Sequence, residues 1–257
     1  MDAPGDLVGR THRALRAVAV HEPGGATTTA VAREAGLPRP TVHRLLTSLQ
    51  GVGLVEREPD TDHWVLGPEL YFLGVAAARR YDVTEAALPV VRRLALATGE
   101  SAFFSARRGE ETICLIREDG AFPIRSHVLF EGARFPLGVV SAGMVVLAHL
   151  PDREVEEYLS RVDLASGYGP QHDAGEIRRH IAATRRHGYA VNPGLVVEGS
   201  WGLAAAVFDQ GGSPRWALTL TGVAHRFGAD RIPQLGALLL REAHALSETL
   251  ARKQTRG

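Results

Sequence analysis

The stretch Thr27-Thr28-Thr29-Ala30-Val31-Ala32-Arg33-Glu34-Ala35-Gly36-Leu37-Pro38-Arg39-Pro40-Thr41-Val42-His43-Arg44-Leu45-Leu46-Thr47-Ser48-Leu49 decides how the N-terminal part of the chain folds. Its threonines are N-cap candidates for a short helix, Ala30 to Ala35, because a side-chain hydroxyl can accept a bond from a first-turn N–H that has no partner in the helix. Gly36 stops that helix. Pro38-Arg39-Pro40 then opens another, since a proline in a first turn has no intrahelical bond to lose. In this second helix Val42, Leu45, Leu46 and Leu49 share one face, and Arg39, Thr41, Arg44 and Ser48 share the other.

Upstream, Leu15, Val18 and Ala19 recur at helical spacing from Thr11 until Glu22-Pro23-Gly24-Gly25 breaks the run. Downstream, Gly51 and Gly53 close the second helix. Leu54 to Arg57 and His63 to Leu66 read as two short strands around the turn Pro59-Asp60-Thr61-Asp62. Pro68 opens a further helix, Glu69 to about Arg80, with Leu70, Leu73 and Ala77 on its apolar stripe. A pair of short helices with a basic outward face, followed by a hairpin, meets the requirement for reading DNA. A major groove admits one helix, arginine can bond guanine O6 and N7 together, and a hydroxyl can reach a base or a phosphate. Taken alone, the helical period would equally describe any exposed helix pair.

Net charge over the 257 residues is zero, so the sum does not advertise a polyanionic partner. Its distribution is uneven. Between residues 10 and 50 six arginines (Arg10, Arg13, Arg16, Arg33, Arg39, Arg44) stand against Glu22 and Glu34. The hairpin and its flank reverse this, with Arg57 against Glu56, Glu58, Asp60, Asp62 and Glu69. The pattern fits a module whose helices, not its hairpin, face a polyanion; charge alone fits two ordinary solvated surfaces as well.

Beyond Tyr81 helices and strands mix without strict alternation. Val83–Thr98, Ser141–Leu150, Asp152–Arg161, Asp173–His187 and Asp230 to about Lys253 read as helices. Ser101–Ala106, Thr112–Arg117, Ile124–Phe130, Leu203–Phe208 and Trp216–Thr221 read as strands, which predicts an antiparallel sheet with helices packed on it. A composition 45% hydrophobic and 23% charged excludes a disordered chain. The run Val139–Leu150 is too short to span a bilayer, and a single cysteine, Cys114, excludes an internal disulfide framework. A cytoplasmic location with no membrane segment is expected.

The pieces His12-Arg13-Ala14-Leu15, Ala32, Gly36-Leu37-Pro38, Thr41-Val42-His43-Arg44-Leu45-Leu46, Leu49, Gly53 and Trp64-Val65-Leu66-Gly67 resemble the DNA-binding domain of the IclR family, bacterial transcriptional regulators. Gly132 with Pro136-Leu137, Ser141-Ala142-Gly143, Leu147-Ala148, Arg186-His187-Gly188-Tyr189-Ala190, Gly199, Ala204-Ala205 and Val207-Phe208-Asp209 extend the resemblance over nearly the whole chain. It implies an α+β protein: a flexible tail (1–9), a winged helix-turn-helix DNA-binding domain (10–67, with the helix-turn-helix about 28–47 and the wing about 54–66), a linker helix (68–81) and a GAF-like effector-binding domain with an antiparallel sheet (82–253). Expected DNA-binding residues are Thr28, Arg39, Pro40, Thr41, His43 and Arg44.

In small-acid sensors of this family an acidic residue, a cysteine and two serines approach the ligand; the matching positions here hold Asn192, Gly202, Thr219 and Thr221. With Val140 and Ser141, where a helix N-terminus can present free N–H groups to a carboxylate, they form the expected effector site. The loss of the acid and the thiol argues against a two- or three-carbon acid. Trp201 and Met144 fit a larger or more apolar effector, or else simple core. The implied partners are a palindromic double-stranded operator, a small organic or aromatic acid and further copies of the chain, as a homodimer or a dimer of dimers.

Signals for catalysis are weak. Glu198-Gly199-Ser200-Trp201-Gly202 misses the first glycine of a nucleophile elbow. The eleven histidines show no H-E-x-x-H spacing; His172 and His180 read as surface residues flanking a helix, and His244 with Glu248 as a surface pair. Cys114 lies in an apolar strand, where a buried inert thiol is expected. No catalytic residue, metal site or cofactor is expected. The alternative function is a ligand-binding or hydrolytic domain whose N-terminal helices serve assembly.

Overall fold

Four helices and a hairpin form the first unit, and each begins where the sequence supplies a cap or a break. In the computed structural model, which describes residues 6–78, 83–124 and 128–254, the chain divides into two compact units, Met1–Asp82 and Val83–Gly257. Helix α1 (Leu7–Ala19) starts at Asp6, whose carboxylate accepts from the Gly9 N–H at 2.7 Å. The expected tail of 1–9 is therefore too long, because a capped turn already orders Leu7 to Gly9. Helix α2 (Thr28–Ala35) starts two residues before its expected position, since it is Thr27 whose hydroxyl accepts from Ala30 N–H. It ends at Gly36, whose φ of 62° is a left-handed conformation that glycine adopts without strain.

Helix α3 (Arg39–Gln50) follows Pro38 and carries Pro40 in its first turn. Strands β1 (Val55–Arg57) and β2 (Trp64–Leu66) pair antiparallel, Val55 opposite Leu66. Trp64 also exchanges two backbone bonds with Ala26, which ties the hairpin to the residue before the Thr27 cap of α2. Val18, Val31, Val42, Leu46, Val55 and Trp64 close the core. Helix α4 (Pro68–Ala78) lacks the single apolar stripe expected of it. Tyr71, Phe72, Leu73 and Val75 are all at least half exposed, so apolar surface runs around the helix. The end of the expected linker helix, 79–81, lies outside the described residues.

The second unit is built on one sheet. In chain order it contains α5 (Val83–Thr98), β3 (Ser101–Arg108), β4 (Glu111–Glu118), β5 (Arg134–Pro136), α6 (Ser141–Ala148), α7 (Asp152–Leu159), α8 (Leu164–Tyr168), α9 (Ala174–His187), β6 (Ala190–Pro193), β7 (Ser200–Phe208), β8 (Pro214–Val223) and α10 (Arg231–Gln254). The six strands run in the order β5-β4-β3-β8-β7-β6, every neighbouring pair antiparallel.

Side chains alternate across this sheet. Phe104, Leu203, Val207, Leu218 and Leu220 face a core shared with α5 and α10. Ala190, Ala204, Ala206 and Ala217 face α6 and α9. These strand residues are small because α6 lies close above them with all eight of its residues buried. Among the described residues no helix is long and apolar enough to cross a membrane.

One expected strand, Ile124–Phe130, is not formed by its described residues, Ile124 and Val128 to Phe130; 125–127 lie outside them. The edge of β4 is taken by later residues instead. Cys114 N–H bonds Ala133 O, Gly132 N–H bonds Cys114 O, and Thr112 stands opposite Phe135 in β5. Apolar composition at 124–130 supplied a strand signal, but backbone pairing was won by the turn at Gly132, where φ is 82°.

Candidate functional site

Helix α3 turns its leucines inward and its arginines to solvent. Val42 and Leu46 are fully buried, Leu49 nearly so, and Leu45 half-buried. Arg39, Pro40, His43 and Arg44 are exposed and Thr41 is half-buried. Arg39 and Arg44 form no ion pair among the described residues. Ser48 Oγ donates to Arg44 O and Thr47 Oγ1 to His43 O, so these hydroxyls already bond their own helix. Arg39, His43 and Arg44 remain as the long polar groups able to reach away from it.

Thr28 does not belong with them. Its side chain is buried, and its Oγ1 accepts from Trp64 Nε1 at 2.8 Å, so the expected DNA-contacting hydroxyl is an internal tie between α2 and the hairpin. Arg57 lies over the Trp64 ring, 4.4 Å from its centroid, and pairs with Asp62. The one arginine of the hairpin is thereby neutralised, and the exposed Glu56, Glu58 and Asp60 leave this surface acidic.

In the second unit the register of the sheet gathers the expected effector residues. Asn192 stands opposite Gly202, Gly202 opposite Thr221, and Ala204 opposite Thr219 one step further along. Gly202 leaves room beside α6: a Cβ there would lie 3.0 Å from Ser141 Oγ, so a larger residue would require that hydroxyl to give way by a few tenths of an ångström. Val140, Ser141, Asn192, Gly202 and Thr221 line one narrow recess, together with Val128, Leu129, Val196, Ser200 and Trp201. None of these side chains is charged. Thr219 lies deeper and is completely buried. Sequence reasoning missed Val128, Leu129, Val196 and Ser200, which come from loops and a strand end with no local motif.

Two features set the chemistry of the recess. Val140 caps α6 without a side-chain bond, and the first N–H of the helix to find a carbonyl within it is that of Met144, on Val140 O. The N–H groups before it carry the positive end of the helix dipole. Beside them, the Thr221 and Thr219 hydroxyls are buried without a hydrogen-bond partner, a costly arrangement that a bound polar group would relieve. Asn192 is already committed: its Nδ2 donates to Val139 O at 3.0 Å and its Oδ1 accepts from Leu195 N–H at 2.9 Å. Trp201 borders the recess from β7, but its ring packs on Phe227 in the core shared with α5 and α10, and Met144 is core under the sheet.

Ser200 begins a strand, not the strand-to-helix turn that a nucleophile elbow needs. Burial, and secondarily the Glu131 carboxylate, push the Cys114 thiol up from 9.0 to about 12. Its contribution to stability is fully present below pH 9, where both folded and unfolded thiols are protonated, and is lost as pH rises toward 12. Native protein is expected to resist iodoacetamide at pH 8.5 while urea-unfolded protein is alkylated; equal labelling in both states would contradict the burial.

A solvent-facing arginine helix beside a hairpin, followed by a separate sheet domain with an uncharged polar recess, defines a two-domain transcriptional regulator. Residues 7–59 match the model described as the IclR helix-turn-helix domain, and 75–248 that described as the bacterial transcriptional regulator IclR C-terminal. The chain belongs to the IclR family of DNA-binding transcriptional regulators.

It is 27% identical over 227 residues to the transcriptional repressor IclR of Escherichia coli (strain K12), covering 86% of this chain and 81% of that one. It is 28% identical over 232 residues to the repressor AllR of Klebsiella pneumoniae, covering 90% and 85%. Among solved structures, an IclR homolog from Microbacterium hydrocarbonoxydans complexed with 4-hydroxybenzoate superposes with a TM-score of 0.76 at 26% identity, covering 96% of this chain and 99% of that one. A regulator from Alicyclobacillus acidocaldarius reaches 0.80 at 25% identity, covering 97% and 100%.

Proposed function

We propose that the protein reads a palindromic operator as a homodimer or dimer of dimers, with α3 in the major groove through Arg39, Pro40, Thr41, His43 and Arg44. A small organic or aromatic acid in the recess of the second unit modulates that affinity. The observation that carries the ligand reading is the meeting, in one recess, of the α6 N-terminus with the buried, unpartnered Thr221 hydroxyl, with that of Thr219 deeper behind it. Helix N–H groups and hydroxyls suit a carboxylate without any cation. Val128, Leu129 and Val196 suit a flat apolar body. The 4-hydroxybenzoate held by the Microbacterium homolog has both chemical parts. The adjacent exposed apolar side chains Tyr71, Phe72, Leu73 and Val75 of α4 support self-association, since contiguous exposed apolar surface marks interaction sites.

The test is thermal stabilisation by 4-hydroxybenzoate, benzoate, pyruvate and a neutral sugar. An aromatic acid should raise the melting temperature and change operator affinity; a response to the sugar alone would reject the acid reading. Gly202→Val drives a branched side chain toward Ser141 and into the recess. It is expected to cost about 1–3 kcal/mol in stability and to remove the acid response while operator binding survives. An acid response equal to wild type in that variant would place the ligand elsewhere.

A further inference from the structure

His172, which its sequence context placed at the surface, is almost completely buried, and its position gives it a part in the recess that it does not itself line. It ends the short 3₁₀ turn Pro170–His172. Its Nε2 lies 3.2 Å from Val139 O, and its Nδ1 lies 3.0 Å from Tyr168 O. Val139 O is the same carbonyl that accepts from Asn192 Nδ2. Both ring nitrogens face carbonyls and a neutral imidazole carries one N–H, so His172 donates to Val139 O in the tautomer protonated at Nε2. A carbonyl has two lone pairs, and in that tautomer a donor from inside the recess and one from behind it meet on a single oxygen. That oxygen belongs to the residue before Val140, the cap of α6.

The preceding residue reaches a second wall. Gln171 Nε2 donates to Leu195 O at 2.8 Å, while the Leu195 N–H is held by Asn192 Oδ1. Leu195 adjoins Val196, an apolar wall of the recess. Two adjacent side chains of one short turn thus hold the α6 cap from one direction and the Val196 loop from another, and Asn192 joins the two anchor points across the recess. Gln171 also donates to Tyr168 O, which fixes the turn on the end of α8.

We propose that His172 and Gln171 are positioning residues for the effector: they set the orientation of the α6 N–H groups and the closure of the Val196 wall without touching the ligand. The proposal rests on the reading of the recess as the effector site. If it is right, the turn Pro170–His172 is a point from which effector affinity is tuned, because anything that displaces it moves both walls at once.

Hydrogen exchange on the full-length protein, with and without 4-hydroxybenzoate, tests this. His172→Leu removes the donor to Val139 and should speed exchange at residues 139–144 while 203–207, within β7, stay protected. His172→Gln, which restores an N–H donor of similar reach, should recover that protection. Gln171→Met should loosen residues 194–197 instead. Affinity for 4-hydroxybenzoate should fall roughly tenfold in His172→Leu and Gln171→Met, a coupling of ordinary size, and recover in His172→Gln. Unchanged exchange at 139–144 in His172→Leu, or loosening spread evenly over the unit, would overturn the proposal. Should wild type bind none of the acids, the ligand reading fails, and the local exchange pattern still decides whether the turn clamps the two walls.

Discussion

Replacing Arg39 and Arg44 together with alanine is expected to lower affinity for a selected operator duplex by roughly two to four decades at fixed salt. Each guanidinium that bonds guanine through two donors contributes about 1–3 kcal/mol of discrimination. Both side chains are exposed on α3 and form no ion pair among the described residues, so neither holds the unit together. The double variant should therefore melt with wild type, which separates lost contact from lost fold. Fluorescence anisotropy across salt concentrations distinguishes the roles further. An arginine on a base lowers affinity for the selected site only, whereas one on a phosphate lowers it for every duplex and flattens the salt slope by about one unit. Wild-type affinity in the double variant would remove α3 from the groove.

Trp64→Ala should have the largest effect on the first unit, about 3–5 kcal/mol of destabilisation. The ring is fully buried at the junction of α2, α3 and the hairpin, its Nε1–H is satisfied by Thr28, and its backbone pairs with Ala26. A truncation there leaves a cavity that this small core cannot close by shifting one residue. Operator binding should be lost with the melting of this unit, followed by circular dichroism. The companion change Thr28→Val keeps the volume but strands the indole N–H, and should cost about 1–3 kcal/mol. If Thr28→Val retained full stability but lost DNA binding, Thr28 would be a DNA contact after all, against the geometry. If Trp64→Ala left the melting transition unchanged, the described core would be wrong.

The sequence was legible wherever a signal acts within one helical turn or one strand repeat. Thr27, Gly36 and Pro40 mark the ends of α2 and α3 by capping and dihedral preference alone, and the 3.6-residue period assigns Val42, Leu46 and Leu49 to the core side. Legibility failed where a choice lay with distant residues. Three consecutive threonines look alike in the sequence, and only the indole of Trp64, 36 residues on, draws Thr28 inward. The apolar residues near 124–130 resembled a strand, yet β4 paired with 132–136 because Gly132 could make the turn.

By itself, then, the sequence determined the two short helices, four of the six strands of the second unit (β3, β4, β7 and β8) and the charge contrast between helices and hairpin. Each of these is written in neighbouring residues. Tertiary structure alone decided the recess, because its walls come from segments as far apart as Val128 and Thr221. It also decided the burial of His172 and the absence of partners for Thr219 and Thr221. The reason is physical: a hydrogen bond or a close approach depends on which surfaces packing brings together, and no local propensity encodes that.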